Sequence, residues 1–283
     1  MSRSNLSSAL SALPSEKPAR PGVRRAPGRP GTSTAWLGAL PPIALVGGLE
    51  LAVQRGWIPR HLLPAPSELW QTVAQLGWGA LAQHAGSSTL RVMAGFAIGT
   101  LLGLILGAAV GLWRSLEDLL DPSFQALRAI PSLAWVPLLL LWLGIDEAPK
   151  VVLIAIGSFF PVYLGVSSGL RDVDRKLVEV GRMAGLSSAA LVRRVLLPAA
   201  LPAVMTGIRQ GLSLSWMFMV AAELIAATRG LGYLLTDGRE TSRADLVLTA
   251  IVLLAVLGKL SDSLLQWAEH RLLHWRDTYQ PTA

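Results

Sequence analysis

Cysteine is absent from all 283 residues. That excludes disulfides, thiolate chemistry and any metal site built on sulfur. Charge is also scarce, at 15% of residues, where soluble domains average about 25%. A soluble chain of this length could bury a core, but it would still need a charged surface. The shortage therefore points to a membrane protein. No G-x4-G-K-[ST] string occurs, so the chain carries no phosphate-binding loop of that kind. The four histidines, His61, His84, His270 and His274, form no zinc-type cluster. His270 and His274 are four residues apart but lack a third ligand. No converging catalytic set stands out, which argues against an enzyme. No inverted repeat stands out either, which argues against an ion-driven secondary transporter.

What the chain has is apolar length. Hydrophobic residues make up 52%. A bilayer span needs about 20 mostly apolar residues. Six stretches qualify, at 36–54, 88–113, 122–143, 150–170, 202–227 and 244–267. The expected fold is an all-α membrane protein. Pro131, Pro137 and Pro161 fall inside spans, so kinks are expected where neighbouring helices can satisfy the freed carbonyls. Between the first two spans, Ser67 reads as the N-cap of a short amphipathic helix with Glu68 in its first turn.

Residues 1–35 differ: Ser, Pro, Gly and Arg dominate, a composition too polar to order itself. They read as a disordered basic tail, leaving 36–283 as the transmembrane domain. The net charge of +7 suits the excess of Lys and Arg on cytoplasmic loops and needs no nucleic acid to explain it. With the N-terminus inside, Arg114, Arg171, Arg175, Lys176, Arg182, Arg193, Arg194 and Arg271 fall inside as well. Only Arg55, Arg60, Lys150, Arg229, Arg239 and Arg243 fall outside. Both termini are then cytoplasmic. Trp36, Trp57, Trp113, Trp142 and Trp267 lie near span ends, as an interfacial belt requires, whereas Trp135 and Trp216 read as core.

The longest internal cytoplasmic loop, about 171–200, is polar and turn-bearing. It reads as helix, break, helix. Asp172 or Asp174 caps the first piece, Gly185 ends it, Ser187 or Ser188 starts the second, and Pro198 stops it. A compact knob of this kind suits a partner's groove.

Glu179, Gly185, Val195, Leu197 and Pro198 reproduce the spacing of the EAA-x3-G-x9-I-x-LP loop signature. The chain thereby resembles the permeases of bacterial ABC importers. Val180 and Gly181 stand where that family prefers alanines, and Val195 stands for isoleucine. "LRAIPSLAWVPLLLLWLGIDEAPK" and "VLGKLSDSLLQWAEHRLLHWRDTY" are similar to the sulfonate, taurine and nitrate branch, most of all to aliphatic sulfonate permeases. The resemblance implies six helices of the type I importer kind in the bacterial inner membrane. It implies a second permease, another copy or a related chain, together with a cytoplasmic ATPase dimer that binds ATP and Mg and a periplasmic solute-binding protein. It also implies an ATPase interface at Glu179, Gly181, Ala184, Gly185, Leu186, Ser187 and Leu191.

Ionisable residues within spans are costly and mark function by default. Arg128, Arg209 and Glu223, with Ser213 nearby, are the candidates for a substrate pathway. Each arginine either meets a passing anion or serves structure by snorkelling or pairing. Lys259 and Asp262 are three apart and can pair. Gly99, Gly103 and Gly107 recur every fourth residue, which favours close helix contact within the subunit or between copies.

Overall fold

A computed structural model describes residues 40–60 and 62–274. The helices are α1 (Leu40–Gln54), α2 (Pro66–Leu76), α3 (Trp78–Leu112), α4 (Arg114–Ala129), α5 (Val136–Leu143), α6 (Glu147–Arg171), α7 (Arg175–Met183), α8 (Ser188–Leu191), α9 (Leu197–Ala226), α10 (Leu231–Glu240) and α11 (Ala244–Leu272). A 3-10 turn, Ser132–Trp135, precedes α5, and a π turn, Val192–Leu196, joins α8 to α9. No strand occurs among the described residues. Helices suit a chain this apolar, because each satisfies its own backbone polar groups without water.

Two compact units divide the chain: Met1–Ile43 with Thr278–Ala283, and Ala44–Asp277. Of the first, 40–43 is described and forms the opening turn of α1. The tail expected at 1–35 and the interfacial Trp36 lie outside the described residues.

Among the described residues, four helices are long and apolar enough to cross a membrane: Trp78–Leu112, Glu147–Arg171, Ser188–Ile225 and Ala244–Leu272. The expected third span is a bent pair instead. Its two arms, Arg114–Ala129 and Ser132–Leu143, meet at 87°. Pro131 lies in the break and has no N–H with which to continue α4. The first expected span is described only from Leu40, as the 15-residue α1.

Glycine determines the packing. Gly95, Gly99, Gly103, Gly107 and Gly111 line one face of α3 against α6. A β-carbon at Gly103 would lie 2.9 Å from Val162, and one at Gly107 would lie 2.8 Å from the Tyr163 carbonyl. On the other side of α6, Gly165 meets Gly207 of α9, where a β-carbon at Gly207 would lie 2.7 Å from the Pro161 carbonyl. The glycine stripe thus serves packing within the subunit. Val162, Val166, Leu170 and Ala200 fill the seam between α6 and α9. A second cluster joins Val92, Val136, Leu139, Ile154, Leu212 and Met219, and Trp135 and Trp216 pack against it as expected. Trp57, Trp113, Trp142 and Trp267 are exposed.

Two capping expectations change. The N-cap of α2 is Ala65, with Pro66 at the first position, and Glu68 reaches back to accept from the Ala65 N–H at 3.3 Å. Ser67 instead donates to Glu50 from its hydroxyl (2.7 Å) and from its N–H (3.0 Å), tying α1 to α2. Pro198 does not stop a helix. Chain from Ser188 to Ile225 is helical throughout. The π turn before Pro198 takes up the misfit that its ring would cause against the Arg194 carbonyl.

Candidate docking hairpin and translocation path

Local signals build the hairpin at 174–191. The Asp174 carboxylate accepts from the Lys176 N–H at 2.9 Å and starts α7. Gly185 ends it at φ +74°, a left-handed conformation that costs glycine little. The Leu186 N–H then donates to Gly181 O (3.1 Å) and the Gly185 N–H to Arg182 O (3.0 Å). This pair of bonds is the Schellman closure of a helix. The Ser187 hydroxyl accepts from the Ala190 N–H at 3.4 Å and opens α8.

The hairpin divides the expected interface residues into two sets. Gly181 and Leu191 are buried against each other and hold the two helices together. Glu179, Ala184, Gly185 and Ser187 are exposed, and Leu186 is half-buried. Three residues not singled out in the sequence are the most prominent apolar ones: Leu177 is 50%, Val180 64% and Met183 88% exposed. At helical spacing they share one side of α7. Arg175, Lys176 and Arg182 on α7, and Arg193 and Arg194 in the π turn, are exposed as well.

A cavity of about 520 Å³ opens further along the bundle, lined by Pro161, Thr206, Arg209, Gln210, Ser213, Leu214 and Asp262. Arg209 and Ser213 therefore share one site. Arg209 pairs with Asp262 at 3.0 Å and with Glu269 at 3.3 Å. Lys259 reaches Asp262 at 3.8 Å, the pair expected from their spacing. Two cations and two carboxylates leave this group electrically balanced. The Ser213 hydroxyl donates to the Arg209 carbonyl at 3.2 Å. Arg128 lies elsewhere, exposed in the last turn of α4, beside Phe124, Phe160 and Tyr163.

Residues 99–274 match the family described as the inner membrane component of binding-protein-dependent transport systems. The chain belongs to this family. One relative, from Bacillus subtilis, carries the name of an aliphatic sulfonates transport permease, SsuC. It is 39% identical over 260 residues, covering 91% of this chain and 94% of the relative. The Escherichia coli protein of the same name is 44% identical over 242 residues, covering 84% and 91%. The Escherichia coli taurine transport system permease TauC is 34% identical over 224 residues, covering 77% and 82%. Among solved structures, an inward-facing conformation of the MetNI methionine ABC transporter superposes with TM-score 0.56 at 22% identity. It covers 71% of this chain and 97% of that one. The fold is that of an ABC importer permease. The chain is a transport subunit of the membrane, and ATP hydrolysis belongs to a separate subunit.

In this permease Glu223 does not line the cavity. It is 1% exposed, and both carboxylate oxygens are taken. Arg91 Nη1 donates to it at 2.7 Å, Ser88 Oγ at 2.8 and 2.9 Å, and the Gly232 N–H at 2.8 Å. Arg91, itself 5% exposed, also grips Glu147 through Nε and through Nη2 at 2.7 Å. Lys150 approaches the same carboxylate at 3.4 Å. Two positive and two negative side chains thus neutralise one another, with Arg91, Lys150 and Glu223 buried and Glu147 half-exposed. An unpaired charge there would be strongly destabilising. Arg91 was not legible as the centre of this set, because its partners Glu147 and Glu223 lie 56 and 132 residues away in sequence.

Proposed function

We propose that this permease imports small organic anions, foremost aliphatic sulfonates. The observation that carries the substrate class is identity of 39% and 44%, over most of the chain, with two relatives named for aliphatic sulfonates. The cavity around Arg209 supports it. A sulfonate is an anion at every physiological pH, and its oxygens suit the guanidinium together with Thr206, Gln210 and Ser213. Asp262 and Glu269 already balance the Arg209 charge. Binding is therefore weak enough for release.

The complex in this reading contains two permease copies and two ATPase subunits that hold ATP and Mg. Each ATPase docks on an α7–α8 hairpin through Leu177, Val180 and Met183, with Glu179, Ala184, Gly185, Leu186 and Ser187 around them. Gly181 and Leu191 support that surface from within. The hairpin and both termini face the cytoplasm, in keeping with the Lys and Arg distribution. The solute-binding protein meets the opposite end.

The test is ATP-driven uptake into proteoliposomes holding the permease and its ATPase, supplied with the binding protein. Ethanesulfonate, taurine and nitrate should be compared. Preference for ethanesulfonate supports the assignment. Uptake of taurine or nitrate alone replaces the substrate class, and no uptake of any of the three rejects it.

A further inference from the structure

α8, the π turn and α9 form one continuous rod that begins inside the docking hairpin. From Ser188 it runs helical to Ile225, 38 residues, or about 57 Å at 1.5 Å per residue. One end is seated on the hairpin through Leu191, buried against Gly181. The far end carries Glu223, which is held by α3 and by the start of α10. Any tilt of the hairpin therefore has a stiff path to Glu223.

What Glu223 holds is the beginning of α10. Residues 227–230 link α9 to α10 and could let the two move independently. Side chains prevent this at four successive residues. Arg91 donates to the Arg229 carbonyl at 2.8 Å. The Gly230 N–H donates to His84 Nδ1 at 3.1 Å. Ser88 Oγ accepts from the Leu231 N–H at 2.8 Å. Glu223 accepts from the Gly232 N–H at 2.8 Å. His84, Ser88 and Arg91 are spaced four and three residues apart, so a single face of α3 carries all three. Gly230 has φ +129°, and a β-carbon there would strike the Glu223 carboxylate. Backbone fit and side-chain bonds thus clamp α10 to both α9 and α3.

We propose that Glu223, Ser88 and Arg91 form a transmission node: positioning residues that force α10 to follow α9, so that the state of the ATPase and the state of the end opposite the hairpin are read by each other. The inference rests on the importer reading above, with the hairpin as the ATPase seat.

The experiment uses the permease–ATPase complex in lipid nanodiscs, with ATP hydrolysis measured with and without sulfonate-loaded binding protein. Two variants are compared with wild type. Ser88→Ala removes the hydroxyl that bridges Glu223 and Leu231 without stranding a charge. The double variant Arg91→Met with Glu223→Met removes both buried charges together, which proteins often tolerate; half-exposed Glu147 keeps Lys150 and water as partners. Both should assemble and keep basal hydrolysis. Stimulation by the binding protein should fall by about fivefold or more, the lower end of coupling between sites. Undiminished stimulation in an assembled Ser88→Ala complex overturns the node, whether or not the double variant assembles. A wild-type chain that recruits no ATPase overturns the importer reading instead, and the node with it.

Discussion

A β-carbon on Gly181 would lie 2.6 Å from Leu191 Cδ1. The two short helices of the hairpin therefore meet closely at a position where α7 carries no side chain. Gly181 costs α7 up to about 1 kcal/mol of helix propensity relative to Ala, and close contact with Leu191 offsets it. With its interior filled in this way, α7 turns Leu177, Val180 and Met183 outward.

Met183 tests that surface with least disturbance, because at 88% exposure it supports little of the fold. Met183→Glu should leave expression and thermal stability of the permease unchanged. It should weaken capture of the ATPase about tenfold, equivalent to about 1.4 kcal/mol. Titration of the purified ATPase onto the permease in detergent checks this. Equal affinity would remove Met183 from the interface.

The glycine contacts make a stability prediction. A β-carbon at Gly207 would lie 2.7 Å from the Pro161 carbonyl, and backbone cannot swing aside as a side-chain tip can. Gly207→Val should destabilise the permease by roughly 1–3 kcal/mol, the usual range for overpacking, and lower its melting temperature. Gly258→Ala, with nothing within 4 Å of its β position, should be neutral or slightly stabilising. Comparable melting of all three proteins would contradict the packing account.

Topology can be measured cleanly because the chain has no native cysteine. Glu240 and Ala189 are both exposed and stand at α10 and in the hairpin. In intact spheroplasts an impermeant thiol reagent should label Glu240→Cys and spare Ala189→Cys. The opposite pattern would invert the orientation.

Arg209 and Arg128 should separate in transport. Arg209 lines the cavity with Ser213, whereas Arg128 is exposed at the end of α4. Arg209→Gln keeps hydrogen bonding but drops the charge. It should lower sulfonate uptake about tenfold, a change of about 1.4 kcal/mol, with basal ATP hydrolysis retained. Arg128→Gln should change uptake much less. Equal losses in the two variants would mean that the cavity is not the path.

Features specified by neighbours in sequence were legible before the structure. Asp174, Gly185 and Ser187 each act on backbone within a few residues, and all three cap or turn as their chemistry predicts. The stripe from Gly99 to Gly107 was legible as a contact face, but its partner α6 was not, since spacing carries no address. Pro131 announced a kink, yet the 87° turn depends on how α5 packs. Pro198 read as a stop because proline removes a hydrogen bond; the π turn that accommodates it leaves no mark in composition. Glu223 read as a pathway residue because a carboxylate within a span is rare. Its partners Ser88, Arg91 and Gly232 come from α3 and α10, and only the fold brings them together.

In the proposed reading, hydrolysis by an ATPase docked on the hairpin drives sulfonate import through this chain. Gly185 offers the most direct measurement, since its φ of +74° is one that a β-branched residue rarely adopts. In proteoliposomes with ATPase and loaded binding protein, the wild-type permease should take up ethanesulfonate only when ATP is supplied. Gly185→Val should insert and fold normally but bind no ATPase and take up none. Full ATP-driven uptake by the folded Gly185→Val protein would contradict the account.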